Sequence, residues 1–215
     1  GQERKALTVS DEFDTETLGL CWQWNHNPVN EAWSLAERPG YLRLKAQKAT
    51  SLFDARNTLT QRMEGPTCQG TVALDLKHMK NGDVAGFSAF NSDAAVLAVS
   101  KRGGKLYLTM SEESVSLAND TKAITGVKKN VKEEIQIKKN KIYFRIEGDF
   151  RPGETKDIVK CYYSLDNKKW HKIGPDYRTR FDWQRFFMGT KFAIFNYATQ
   201  KEGGYVDVDW FEFSK

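Results

Sequence analysis

Apolar and polar residues alternate with a period of two along most of this chain, and that pattern confines it to strands. Leu42-Arg43-Leu44-Lys45-Ala46 and Val72-Ala73-Leu74-Asp75-Leu76 follow it. Leu97 and Val99 share a face, Lys101-Arg102-Gly103-Gly104 reads as a hairpin turn, and Leu106-Tyr107-Leu108-Thr109-Met110 returns. Ile135-Gln136-Ile137 passes through Lys139-Asn140 into Ile142-Tyr143-Phe144-Arg145-Ile146. Val159 to Tyr163 and Trp170 to Ile173 flank a turn at Asp166-Asn167-Lys168, and Phe192 to Tyr197 and Val206 to Phe213 end the series. Ten or more short strands, with no amphipathic helix of three turns, indicate an all-β sandwich of two antiparallel sheets. Asn30 to Ala36 reads at most as a helical turn, ended by Pro39-Gly40. In a jelly roll of this kind the terminal strands are neighbours, which would set Asp11-Glu12-Phe13-Asp14 beside Val206 to Phe213.

The 215 residues suit a single domain, and residues 1–9 read as a linker or tag remnant. A 40% apolar content with 13% aromatics rules out a disordered chain. No apolar run nears the ~20 residues of a membrane helix, and the first residues hold no signal-peptide core. The net charge of +5 is concentrated in Lys122, Lys128, Lys129, Lys132, Lys138, Lys139 and Lys141. Glu133 and Glu134 interrupt the run, so it reads as a lysine-guarded strand pair rather than a polyanion patch. Neither a nucleic-acid nor a membrane partner is expected. Cys21, Cys68 and Cys161 form no C-x-x-C and read as buried thiols, with one bridge and one free thiol as the alternative.

The densest polar and aromatic cluster is Trp22-Gln23-Trp24-Asn25-His26-Asn27-Pro28, followed by Trp33. Trp22 and Trp24 would share a strand face, with Gln23 opposite. Aromatic faces beside amide and imidazole groups suit a sugar, whose C–H faces stack on rings while its hydroxyls take the amides. The competing reading is a Trp-rich core strand leading into an Asx-type turn. No G-x-S-x-G is present, and His26, His78 and His171 show no metal spacing. Asp207, Asp209 and Glu212 form D-x-D-x-x-E, close to the E-x-D-x-x-E strand of concanavalin-like endoglucanases. A retaining glycosidase needs its carboxyls ~5–5.5 Å apart. In a regular strand Asp207 and Asp209 share a face and Glu212 faces away, which favours turn-capping or ion-pairing. No cofactor is required. A structural calcium ion on Asp11, Glu12 and Asp209 is a separate expectation.

Taken together, several blocks resemble the concanavalin A-like C-terminal domain of β-xylosidases and α-L-arabinofuranosidases in glycoside hydrolase family 43. They are Asp11-Glu12-Phe13-Asp14, Leu18 to Pro28, Trp33 to Leu44, Asn57 to Arg62, Gly82 to Gly86, Tyr162-Tyr163-Ser164, Phe186 to Gly189 and Asp207 to Phe211. The resemblance implies a sandwich attached to a five-bladed catalytic propeller that lies outside this chain and acts on plant xylan fragments. It also implies a loop that delivers an aromatic side chain to the substrate pocket, best matched here by Phe186, with Phe187 beside it. The Lys122–Lys141 segment and the Phe150–Glu154 loop depart from many relatives. The expected function is therefore a non-catalytic accessory domain that stabilises the propeller and completes its pocket. The carbohydrate- or pocket-facing candidates are Trp24, Asn25, His26, Asn27, Trp33, Phe186 and Phe187. The alternatives are an autonomous xylan-binding module, a self-contained glycosidase on Asp207, Asp209 and Glu212, and a plain protein-interaction sandwich. A periplasmic or extracellular location is expected, with a cytoplasmic one open.

Overall fold

The computed structural model describes residues 10–121, 123–153, 157–179 and 189–215. In chain order the strands are β1 (Gln23–Trp24), β2 (Trp33–Ser34), β3 (Leu42–Lys45), β4 (Gln47–Lys48) and β5 (Leu59–Arg62). They continue as β6 (Thr67–Asp75), β7 (Asp83–Phe90), β8 (Asp93–Arg102), β9 (Lys105–Leu117) and β10 (Ile124–Ile137). The last six are β11 (Lys141–Asp149), β12 (Ile158–Ser164), β13 (His171–Lys172), β14 (Tyr177–Arg178), β15 (Lys191–Ala198) and β16 (Tyr205–Ser214). A 3-10 turn, Asn30–Ala32, stands where the sequence reads as a helical turn. No helix among the described residues is long and apolar enough to cross a membrane.

One sheet runs β1-β5-β15-β7-β8-β9-β10, and the other β13-β12-β11-β6-β16-β3-β2. The pairing is antiparallel throughout the described strands except where β4 lies parallel to the end of β15. The alternation has the expected consequence in β11. Ile142, Phe144 and Ile146 are buried between the sheets, while Lys141, Tyr143, Arg145 and Glu147 point outward. Gly103 and Gly104 take φ of 56° and 76°, the positive values a two-residue hairpin turn between β8 and β9 requires. The termini meet as expected, with the Asp11 amide donating to the Phe211 carbonyl at 2.8 Å and the Phe211 amide returning the bond.

Rings tie the two sheets together. Phe87 and Phe192 stack at 5.6 Å within one sheet, and Phe211 of the other meets Phe192 edge-on at 5.7 Å. Trp22 then packs on Phe211 at 5.0 Å and on Phe13 at 5.9 Å, so the aromatic chain reaches the N-terminal segment. Each such ring contributes about 1.5–3 kcal/mol by burial. Gly70 makes room for this cluster, because a Cβ there would lie 2.7 Å from the Phe192 ring. A second apolar layer covers the outside of the first sheet. Leu52, Phe53 and Ala55 pack on Phe90, Val96, Phe195 and Tyr197. β8 and β15 are therefore buried on both faces, and their sequences run apolar almost without a break.

The outside of the second sheet is closed by charge. Asp207 is only 2% exposed although it points away from the core. Arg43 donates to it through Nε at 2.9 Å and Nη2 at 3.1 Å, and Arg38 donates through Nη1 at 3.2 Å. Arg38 also reaches Asp75 at 2.7 Å. The guanidiniums lie over the rings of Tyr41 and Tyr205. The Asp207 hydrogen bonds raise the Arg43 guanidinium above its ordinary value. The lysine-rich segment falls largely on β10, the outermost strand of its sheet and exposed along nearly its whole length. Lys128, Lys129 and Lys132 thus stand on an open edge, as an edge-protecting run should.

None of the three cysteines is in a disulfide. Burial pushes the Cys68 thiol up to about 11 and the Cys161 thiol up to about 12, whereas Cys21 is half-buried. A thiol reagent at neutral pH should label Cys21 first and the other two only on unfolding; rapid labelling of all three would contradict this packing. Removing Arg43 leaves the Asp207 charge inside with one weaker partner. Arg43→Ala should cost about 3 kcal/mol in urea unfolding, and a loss below about 1 kcal/mol would contradict the clamp.

Acid should also destabilise the fold. Burial pushes the Asp75 carboxyl up, but Arg38 and the Lys77 amide outweigh it and leave it below its ordinary value. Arg151 holds Asp149 at about 2, and the amides of Lys169 and Lys168 hold Asp166 at about 2. Carboxyls lowered by folding contribute stability above their unfolded value and lose it as pH falls through the folded one. Asp83, raised by burial, works in the opposite sense. The thermal midpoint should therefore drop as pH falls from 3.8 to about 2, the window set by Asp149 and Asp166. A flat midpoint across that window would contradict the assignment.

Candidate functional site

The tryptophan cluster sits where the edges of the two sheets come together. β1 ends the first sheet and β2 ends the second, and Trp24 and Trp33 meet across them at 5.3 Å. Both rings are half-buried and pack against the central core. The pair therefore seals one side of the sandwich while leaving part of each ring at the surface. Trp22 is buried, and its indole Nε1 donates to Asp11 Oδ2 at 2.8 Å. Gln23 is exposed, as the alternation requires.

Asn25, His26 and Asn27 form a loop pinned to the segment before β5. The Asn25 amide N–H donates to the Thr58 carbonyl at 2.9 Å. His26 Nε2 lies 3.0 Å from the Phe53 carbonyl, and Arg56 donates to the Asn27 carbonyl at 3.1 Å. Asn57 supports the same loop by bonding both the amide and the carbonyl of Val29. Sequence reasoning missed Arg56 and Asn57, which lie about thirty residues downstream. A bidentate Asn on another loop's backbone leaves no local signal. The Trp33 indole donates to Asn30 Oδ1 at 3.1 Å. The arrangement is a preformed corner with two ring edges, an amide and an imidazole at the surface, suited to contacting a saccharide or a partner domain.

Phe186 and Phe187 lie outside the described residues, between β14 and β15. Those two strands belong to different sheets. Met63, whose amide donates to the Thr190 carbonyl at 3.1 Å, belongs to the same end of the sandwich as Gly189 and Lys191. The tryptophan corner instead leads away from that end, because Trp24 pairs with Leu59 and the loop continues toward Asn57. Register thus separates the corner from the flanks of the Phe186 segment.

Two carboxylates of the D-x-D-x-x-E strand, Asp207 and Asp209, are engaged in ion pairs. A bulge between Val208 and Trp210 shifts the alternation, so Asp207 and Glu212 come to share the outer face that a regular strand would deny them. Asp207 is held by Arg43 and Arg38, and Asp209 accepts from Lys141 Nζ at 2.8 Å. Both carboxylates thus act as ion-pair partners within the fold. Asp11 spends one oxygen on the Phe13 amide and the other on Trp22. Among the described residues no three His, Cys, Asp or Glu side chains converge into a cation site, so the calcium expectation gains no ligand set on Asp11 and Asp209.

Comparison with known proteins agrees with this geometry. The family described as the β-xylosidase C-terminal concanavalin A-like domain matches residues 10–214. A β-xylosidase of Formosa agariphila is 31% identical, over 97% of this chain but 35% of its own length. A solved bifunctional GH43-CE protein of Bacteroides eggerthii is 37% identical, with a TM-score of 0.85 over 98% of this chain and 26% of its own. A GH43 glycoside hydrolase engineered to display both endo-xylanase and exo-arabinofuranosidase activity is 32% identical, with a TM-score of 0.87 over all of this chain and 42% of its own. This chain therefore spans well under half the length of these relatives. With its two facing sheets, its bulged C-terminal strand and its matched sequence, the chain belongs to the concanavalin A-like C-terminal domains of glycoside hydrolase family 43.

Proposed function

We propose that this domain is a non-catalytic partner of a family 43 catalytic propeller acting on xylan or arabinoxylan, and that it stabilises the propeller and completes its substrate pocket. The observation that carries this reading is the family match over residues 10–214 in a chain that spans only 35% of its β-xylosidase relative. The engaged state of Asp207 and Asp209 supports it, since the strand that resembles a glycosidase motif serves here as a structural clamp. The segment carrying Phe186 and Phe187 is the part that reaches the pocket, and the tryptophan corner adds weak xylan affinity or a contact to the propeller.

Two measurements test this. The chain by itself should hydrolyse neither aryl β-xylosides nor aryl α-L-arabinofuranosides; turnover lost in Asp209→Asn would overturn the reading in favour of a self-contained glycosidase. In the protein that carries the propeller, Phe186→Ala should lower kcat/KM about tenfold while the unfolding midpoint stays in place. An unchanged kcat/KM would remove the pocket-completing role.

A further inference from the structure

The outer face of the second sheet carries an ordered surface apart from the tryptophan corner. Pairing across β12, β11, β6 and β16 sets Lys160, Glu147, Gln69 and Ser214 in one line. Two residues along the strands, Tyr162, Arg145, Thr71 and Glu212 form a second line, and Tyr143, Ala73 and Trp210 form a third. With a rise of ~3.4 Å per residue and strands ~4.8 Å apart, the three lines cover roughly 14 Å in each direction. The first line borders an open depression of about 450 Å3, which Asp149 and Ser214 also line.

The polar groups are fixed in place. Burial, and the Glu147 carboxylate beside it, raise the Tyr162 phenol above its ordinary value. The Gln69 amide, in the orientation that satisfies both neighbours, donates to Glu147 Oε1 at 3.1 Å and accepts from Arg145 Nε at 3.2 Å. Arg145 also reaches Thr71 Oγ1 at 3.1 Å, and its guanidinium lies 3.9 Å over the Trp170 ring. In the aromatic line, Tyr143 and Trp210 are half-buried and tilt together at 6.0 Å over Ala73. Side chains held this way on strands lose little freedom when they bind.

We infer that this face is a binding platform for a short chain of neutral β-linked pyranose sugars, with Tyr143 and Trp210 stacking on one ring and Glu147, Gln69, Lys160 and Ser214 bonding the hydroxyls of a ring farther along the chain. The polar line carries one cation, Lys160, one anion, Glu147, and two neutral groups, Gln69 and Ser214, a set that suits the paired donors and acceptors of vicinal hydroxyls and gives a polyanion no advantage. An occupant running along the strands touches the aromatic and polar lines together. The accessory-domain reading above enters only in the choice of sugar.

The test is a titration of the chain with xylohexaose, followed by amide NMR and calorimetry. The Trp210 indole, Gln69 side-chain and Glu147 amide signals should shift. Trp210→Ala should weaken binding at least tenfold and Glu147→Gln severalfold, each with a native-like spectrum, while Lys128→Ala, on the edge strand of the other sheet, has no effect. No shift at millimolar ligand overturns the inference. So does binding that survives Trp210→Ala and Glu147→Gln but disappears in Trp24→Ala, a result that would leave the accessory role intact. A sulfated oligosaccharide that moves the same signals more strongly than xylohexaose would overturn the neutral-sugar assignment.

Discussion

The sandwich depends on the burial of one face of each sheet against the other, and the rings of Phe87, Phe192 and Phe211 lie at the centre of that contact. Each ring comes from a different strand, two in one sheet and one in the other, so none can be placed without the others. Trp22 and Phe13 extend the cluster to the N-terminal segment, and the Asp11–Phe211 backbone pair fixes that segment in register. Once these rings are set, the remaining inward positions follow by alternation. The outward positions are then free to carry charge, edge protection or binding groups.

The two outer faces use that freedom differently. One is covered by apolar residues from the segment before β5, and this second layer ties the pinned loop of His26 to the main body through Phe53. The other is left uncovered among the described residues and is organised by ion pairs and ring–guanidinium contacts. Near β3 these contacts are spent on one another, with Asp207 held between two arginines. Farther along the same face, near Glu147 and Trp210, polar and aromatic groups are held in place but still present edges to the surface. The same devices thus serve stability at one end of the sheet and preorganise a surface at the other.

Much of the fold could be read from the sequence because a half-buried strand alternates. β3, β6, β11 and the β8–β9 turn lie where the pattern places them. β7 was not legible as a strand, because burial on both faces removes the alternation that would mark it. The reach of β10 was hidden for the opposite reason, since both of its faces are exposed and its composition reads as charge. The site was harder still. Trp24 and Trp33 were visible as a cluster, but only the meeting of two sheet edges shows that they seal the sandwich as well as face outward. The bulge near Asp209, which changes which carboxylates share a face, follows from pairing with β6 and β3 and leaves no local signature. Lys160, Glu147, Gln69 and Ser214 lie on four strands far apart in sequence and become a line only through register.

The central claim is that this domain acts through the catalytic propeller rather than alone. Its most direct test compares kcat/KM on an aryl β-xyloside for the propeller with and without the sandwich in the same polypeptide, both checked for folding. The account predicts a loss of at least tenfold when the sandwich is removed. A folded propeller that works equally well without it would contradict the claim.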